Sequence, residues 1–289
     1  MSSTFTIAIA GISSRLARYV TQELLKHPNV HLRGSCRDIG KLPSDLTHSP
    51  RLLLMQAEPY DIDKLRSLVH GCDVVICCYC ADDKTMLDGQ KLLIDLCEVE
   101  GVSRYIASDY TADFTKLDWG DIVVKEPMKH IKAYLDSKAK VNGVHILVGL
   151  LMEAFLAYFN VWDSKANKLY YWGTGSEKWD LTTYQTAAEF VAAVALDHNA
   201  VVLGDPRSAF EMVDDIESVY GVKPVLERLG SLQDLSLRVN SAGSSQDTIA
   251  AAMYHTLTGK VTLGGDLDNA RYPGIKPETF RDFLKKNQL

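Results

Sequence analysis

Residues 5–17, FTIAIAGISSRLA, decide how the chain is read. Phe5–Ala10 is a short apolar run of strand type, and Gly11 breaks it. From Arg15 onward Leu16, Tyr19, Val20 and Leu24 recur at helical spacing until Pro28 closes the pattern. A strand, a glycine turn and a helix in this order present backbone N–H groups and a helix N-terminus to a pyrophosphate. The dinucleotide fingerprint is degraded, because Ser14 and Ala17 hold the two positions where it carries further small residues. An ordinary strand-to-helix turn has the same form, so the motif alone leaves both readings open.

Working outward, strand-like and helix-like segments alternate through the first half. Strands are predicted at Phe5–Ala10, His31–Ser35, Arg51–Gln56, Asp73–Cys78, Arg104–Ala107 and Val144–Val148, with helices near Arg15–His27, Ile62–His70, Thr85–Glu100 and Pro127–Val141. This alternation predicts an α/β fold, a doubly wound parallel sheet of the Rossmann type over residues 1–150. After Gly149 the pattern becomes irregular: a strand at Lys168–Trp172, then helices at Tyr184–Asp197, Ser208–Tyr220, Leu232–Val239 and Asp247–Leu257. Residues 151–289 are read as a smaller C-terminal α+β substrate lobe, packed on the first domain and covering the substrate pocket.

Composition narrows the functions. The chain has 289 residues, 46% hydrophobic and 24% charged, ordinary values for a globular protein. A net charge of −6 with no basic run argues against direct nucleic-acid contact. No apolar stretch reaches the length of a membrane span and no basic segment precedes the first apolar run, so a cytoplasmic protein is expected. Cys72, Cys77, Cys78 and Cys80 crowd one strand-like segment, and neighbouring strand residues point to opposite faces. The cysteines are read as reduced, mostly buried hydrophobes and no metal site is expected. A homodimer is compatible with all of this.

The second strand ends Gly34-Ser35-Cys36-Arg37-Asp38, where NAD-binding folds place an acid against the ribose hydroxyls. Arg37 comes first here, and a guanidinium at that point forks onto a 2′-phosphate, which favours NADP(H) over NAD(H). A solvated Arg37 paired with Asp38 is the alternative.

The segments IAGISSRLA, SCRD, VVICCYC, QKLLIDLCEVEGVSRYIASDY, KEPMKHIKAYLDS and GVHILVGLLMEAF, in this order, resemble the NmrA-like and isoflavone-reductase-like group of atypical short-chain dehydrogenases over about residues 4–200. The stretch YYWGTGSEKWDLTTYQTAAEFVAAVALD also resembles fungal NmrA-like proteins associated with secondary metabolism. The resemblance implies a pyrophosphate loop at Gly11, Ser13, Ser14, Arg15 and Leu16 and a 2′-phosphate contact at Arg37. It places Tyr79, Cys80, Ser108, Asp109 and Tyr110 along the cofactor, beyond the fourth and fifth strands.

The family's reductases carry a helix lysine near the nicotinamide, and the nearest matches are Lys125 and Lys129. Met128 takes the lysine's own position in the helix pattern of Met128, Ile131 and Leu135. Tyr134 and Lys138 form a Tyr-x-x-x-Lys pair, but they lie well along a helix that runs away from the cofactor edge. Glu153 breaks an apolar run just after the sixth strand, as a substrate-facing acid or a helix-terminal acid. Trp162, Tyr170, Trp172 and Trp179 offer aromatic surface for a planar ligand or for core packing.

Lys129, Lys125 and Glu153 are therefore the candidate catalytic residues of an NADPH-dependent reductase of a small cyclic or aromatic metabolite. A dinucleotide-sensing regulator without turnover and a cofactor-bound isomerase or cyclase are the alternatives.

Overall fold

Six parallel strands build the central sheet: β1 (Phe5–Ala10), β2 (Val30–Cys36), β3 (Leu52–Gln56), β4 (Val74–Cys77), β5 (Arg104–Ile106) and β6 (Asn142–Val144), in the order β3-β2-β1-β4-β5-β6. The computed structural model describes residues 4–197, 204–241, 247–264 and 267–287. Helices α1 (Arg15–Leu25), α2 (Ser44–Thr47), α3 (Ile62–Val69), α4 (Gln90–Glu100) and α5 (Glu126–Asp136) connect the strands. The central strands are apolar on both faces, as a covered parallel sheet requires: Ile7, Ala8, Ile9 and Ala10 are all fully buried, as are Val75, Ile76 and Cys77. The strand order reverses between β1 and β4, which opens a ligand crevice at the carboxyl ends of the strands.

Several elements differ from the sequence pattern: α5 ends at Asp136 and not at Val141, a strand at Val225–Gly230 and a helix at Phe280–Lys286 were not expected, and two further differences lie in the sheet and at α4. The last strand of the sheet covers Asn142–Val144 instead of Val144–Val148, because β6 pairs only with β5 and its ladder stops at Ile106↔Val144. Helix α4 is preceded by a π-helical turn at Thr85–Gly89, so the expected Thr85–Glu100 helix is two geometries in series.

The second half adds β7 (Leu150–Leu151), α6 (Met152–Tyr158), β8 (Trp162–Asp163), β9 (Lys168–Trp172), β10 (Lys178–Trp179), β11 (Leu181–Thr182), α7 (Tyr184–Leu196), β12 (Arg207–Ser208), α8 (Ala209–Tyr220), β13 (Val225–Gly230), α9 (Leu232–Ser241), α10 (Thr248–Leu257) and α11 (Phe280–Lys286). A three-stranded sheet β13-β9-β8 and the two-stranded ribbons β10-β12 and β11-β7 pack with these helices. Phe155, Phe159 and Trp179 meet in this core at ring separations of 5.0–5.8 Å.

Contacts group the described chain into two units, residues 4–109, 127–146 and 188–197 in one and 110–126, 147–187 and 204–287 (where described) in the other. The grouping departs from a single cut near 150 at two places. Segment 110–126 is held in the second unit, where the Asp113 N–H donates to the Val261 carbonyl at 3.1 Å and Lys260 pairs with Asp118 and Asp121. Segment 188–197 is held in the first, where the buried Arg104 guanidinium donates to the Val194 and Ala195 carbonyls at 2.5 and 3.4 Å.

Arg104 is one of three arginines that close helix ends. Arg51 donates to the carbonyls of Leu25 and His27 at the end of α1 and to that of Val30 at the start of β2. Arg33 reaches those of Ser67, Leu68 and His70 at the end of α3. Each guanidinium satisfies carbonyls that have no partner within their helix and complements the negative end of its dipole.

None of the six cysteines forms a disulfide, and of the six only Cys80 is exposed. Burial pushes the Cys72 thiol up to about 11 and the Cys77 thiol to about 12, so both stay protonated. Among the described residues no helix is long and apolar enough to cross a membrane.

Candidate functional site

The turn after β1 is pinned from three sides. The N–H groups of Gly11 and Ile12 both donate to the Ser35 carbonyl of β2, at 2.9 and 3.0 Å. Gly11 has φ +79°, and a Cβ there would lie 2.8 Å from the Cys78 carbonyl oxygen and 3.0 Å from the Tyr79 ring. The fully buried Ile12 side chain fills the space above Gly34, where a Cβ would come within 2.3 Å of Ile12 Cδ1. Glycine is thus demanded at position 11 by the two residues that follow β4, before any phosphate is considered. Ser14 caps α1 by accepting from the Ala17 N–H at 3.3 Å. Ser13 and Arg15 are exposed beside it. Leu16 is buried, so only its backbone amide serves an anion.

Arg37 stands exposed just beyond the carboxyl end of β2. Asp38 turns away from it, accepting from the Gly40 N–H at 2.9 Å and lying 3.9 Å from the Lys41 ammonium. Among the described residues Arg37 has no hydrogen-bond or ion-pair partner, so the expected alternative of an Arg37–Asp38 pair does not form.

Beyond β4, Tyr79 is buried, and its ring sits between two glycines: the ring lies 3.0 Å from the Cβ position of Gly11 and 3.2 Å from that of Gly89. Its hydroxyl is buried without a hydrogen-bond partner among the described residues, and desolvation pushes its pKa well above the usual tyrosine value. Cys80 is exposed. After β5, the Ser108 hydroxyl donates to the Tyr79 carbonyl at 2.7 Å, and the Ser108 N–H donates to the buried Gln90 side chain at 3.0 Å. The Tyr105 hydroxyl donates to the same Gln90 oxygen at 3.3 Å. Tyr110 has φ +42°, an uncommon left-handed conformation for a tyrosine.

The Asp109 carboxylate, wholly shielded from solvent, accepts from Nδ1 of His145 at 2.6 Å. His145 follows β6 as Asp109 follows β5. Sequence reasoning missed both Gln90 and His145. The one available signal for His145 was a titratable residue inside the apolar run GVHILV.

Of the other candidates, Met128, Ile131 and Leu135 form the buried stripe of α5 as the spacing predicts. Lys125 lies in the short turn before α5 and Lys129 in its first turn, each half-buried. Tyr134 and Lys138 face α4: the Tyr134 hydroxyl donates to Asp95 at 2.6 Å, and Lys138 pairs with Asp95 at 2.6 Å and Glu98 at 3.0 Å while lying over the Tyr134 ring.

In the second unit the Glu153 carboxylate accepts from the Tyr184 N–H through both oxygens, at 2.9 and 3.1 Å, capping the start of α7. Tyr170, Trp172 and Trp179 line one void together with Glu177 and Met212, but the void gives a water's centre only about 10 Å³, room for a single water. Trp179 belongs to the core and Trp172 packs against it, while Tyr170 is half-buried. Trp162 is half-buried against that core, with its indole nitrogen buried and lacking a hydrogen-bond partner among the described residues.

Residues 11–144 match the NAD(P)H-binding family. No curated protein matches the chain. Among solved structures, AtPrR2 with NADP+ and (+)-pinoresinol is 17% identical, with a TM-score of 0.81 and 99% of both chains covered. Isoflavone reductase is 18% identical, with a TM-score of 0.80 over 98% of this chain and 99% of that one. The binary complex of leucoanthocyanidin reductase and NADPH from Vitis vinifera is 13% identical, with a TM-score of 0.77 over 97% and 98%. An NAD(P)H-binding region thus occupies residues 11–144, and the chain shares the fold of these solved structures along nearly its whole length.

Proposed function

We propose that the protein is an NADPH-dependent reductase of a small cyclic or aromatic metabolite, of the kind that serves secondary metabolism. The observation that carries the cofactor half is Arg37, an exposed guanidinium without a partner among the described residues, next to a glycine turn held rigid for a pyrophosphate. A 2′-phosphate supplies the bidentate acceptor that Asp38 does not. The substrate half is supported by full-length likeness to isoflavone reductase, to leucoanthocyanidin reductase and to AtPrR2 with (+)-pinoresinol.

In this reading NADPH delivers a hydride to an electrophilic carbon, and the protein supplies orientation, a cation and a proton. Lys129, in the first turn of α5, is the cation assigned to the developing negative charge, with Lys125 four positions earlier in the chain as its second. Glu153 acts by fixing α7, since its carboxylate is already engaged by the Tyr184 N–H.

A second reading is favoured by one feature. Buried Met128 stands where the resembling reductases carry their lysine, which fits a protein that senses the dinucleotide without consuming it. Incubation of the protein and NADPH with carbonyl, imine and enone compounds, followed by nicotinamide absorbance, separates the two. Oxidation that depends on both protein and compound is the expected result. Tight NADPH binding without oxidation across the panel would favour the sensor.

A further inference from the structure

We infer that Gln90 is a positioning residue of the dinucleotide crevice: from complete burial it frames loop 80–84, the exposed stretch that leaves β4, and so sets how tightly the dinucleotide is held. The inference rests on the cofactor half of the reading above and does not need turnover. The paired residues of β4 and β5 end at Ile76↔Ile106. Beyond them, side chains take over the connection. The Ser108 hydroxyl donates to the Tyr79 carbonyl at 2.7 Å, and the Ser108 N–H donates to the Gln90 side-chain oxygen at 3.0 Å.

Gln90 is 0% exposed, and both ends of its amide are engaged. The oxygen accepts from the Ser108 N–H and, at 3.3 Å, from the Tyr105 hydroxyl, while the nitrogen donates to the Met86 carbonyl at 2.8 Å. A backbone N–H can only donate and a carbonyl can only accept, so these partners fix which way the amide points. The Gln90 backbone N–H donates to the Leu87 carbonyl, three residues back. Its side chain takes the Met86 carbonyl, four residues back, which a regular α-helix gives to the backbone N–H. The amide thereby braces the π-helical turn at Thr85–Gly89. One side chain thus anchors both ends of loop 80–84, through Ser108 to Tyr79 on one side and at Met86 on the other. All five loop residues are exposed.

The loop lies where a ligand is expected. The strand order reverses between β1 and β4, and doubly wound sheets hold their ligands outside the carboxyl ends of the strands at such a reversal. The two residues before the loop press on the turn after β1, since the Cys78 carbonyl and the Tyr79 ring crowd the Cβ position of Gly11. Loss of the Gln90 amide would leave the Ser108 N–H and the Met86 carbonyl to find new partners in a buried place. Both lie at an end of the loop, so the wall of the crevice moves with them.

Cys80, the first residue of the loop and the exposed one of the six cysteines, reports on the loop directly. A thiol reagent should modify it in the free protein, and saturating NADPH should slow that reaction severalfold. Gln90→Met, close to glutamine in length but unable to make the amide's bonds, should remain folded and bind NADPH about ten- to a hundredfold more weakly. Gln90→Glu makes the donor depend on pH, because burial raises the pKa of its carboxyl. Protonated, it accepts from the Ser108 N–H and donates to the Met86 carbonyl as the amide does; ionised, it donates nothing. Its NADPH affinity relative to the wild type should be near equal in mild acid and fall as pH rises, a profile that space-filling alone does not produce. The inference is overturned if NADPH binds and leaves the Cys80 rate unchanged, if folded Gln90→Met binds NADPH as tightly as the wild type, or if the relative affinity of Gln90→Glu does not vary with pH. Should Gln90→Met fail to fold, the Gln90→Glu profile and the Cys80 rate decide. Failure of the wild type to bind NADPH would remove the cofactor reading and this inference with it.

Discussion

In the proposed reading, the side chain at position 37 decides between two cofactors. Arg37→Ala should weaken NADPH binding by about ten- to a hundredfold through loss of a charge-assisted contact, and should leave NADH binding nearly as it was. Calorimetry with both dinucleotides checks this, and equal affinities in the wild type would reduce Arg37 to a solvated charge. Gly11 shows how far a residue's reason can lie from its neighbours in sequence. That a turn needs glycine there was legible from FTIAIAGISSRLA; that the Cys78 carbonyl and the Tyr79 ring demand it was not, since they lie just beyond β4, far along the chain. Gly11→Val combines a positive φ with a backbone clash, so it should cost roughly 1–3 kcal/mol of stability as well as cofactor binding. If the Gly11→Val protein resists urea as well as the wild type does, the turn relaxes around the added side chain.

At the level of elements, α4 and α5 are joined by the Tyr134–Asp95–Lys138 cluster. Burial and the Asp95 carboxylate push the Tyr134 hydroxyl above its usual pKa, which suits a donor and not a catalytic phenolate. Tyr134→Phe should therefore cost about 1 kcal/mol in denaturant stability, the worth of one hydrogen bond, and leave NADPH affinity and turnover unchanged. A large drop in kcat would restore the pair to the mechanism. The Tyr-x-x-x-Lys pattern itself was visible in the sequence, and its distance along the helix pointed away from the cofactor edge. Its true partners were invisible, because Asp95 and Glu98 belong to another helix and no local spacing links them to Tyr134.

For the molecule as a whole, the alternation of strands and helices predicted the central sheet, and periodicity was least informative where strands are three residues or fewer. Segment 110–126 belongs with α10 and the turn after it through polar contacts of long sequence separation, which no local pattern encodes. One of these contacts has a pH signature. Burial holds His255 below the ordinary histidine value, against the pull of Asp121. The folded protein therefore favours neutral His255, and the stability present above the unfolded value near 6.5 is lost as pH falls through it towards the folded pKa. Melting temperatures between neutral and mildly acidic pH should decline, and His255→Gln should flatten that decline; an unchanged slope in the variant would assign it to other groups. Glu211 acts in a lower window. Against its own desolvation, Lys178 and Ser208 hold it at about 2, so its contribution persists until pH drops below the ordinary 4.5.

The three arginine clamps carry one more consequence. Arg33, Arg51 and Arg104 all close helices where those helices return to the amino-terminal edge of the sheet, the edge opposite the ligand crevice. That rim resists fraying, since opening any of these helix ends strands a guanidinium and several carbonyls at once. Native-state hydrogen exchange should accordingly run in a gradient: last-turn amides of α1, α3 and α7 should exchange only through global unfolding, and those around Ser13 and Tyr110 through small local openings. Sequence change could then accumulate at the ligand rim, altering what is bound, while the far rim keeps the fold.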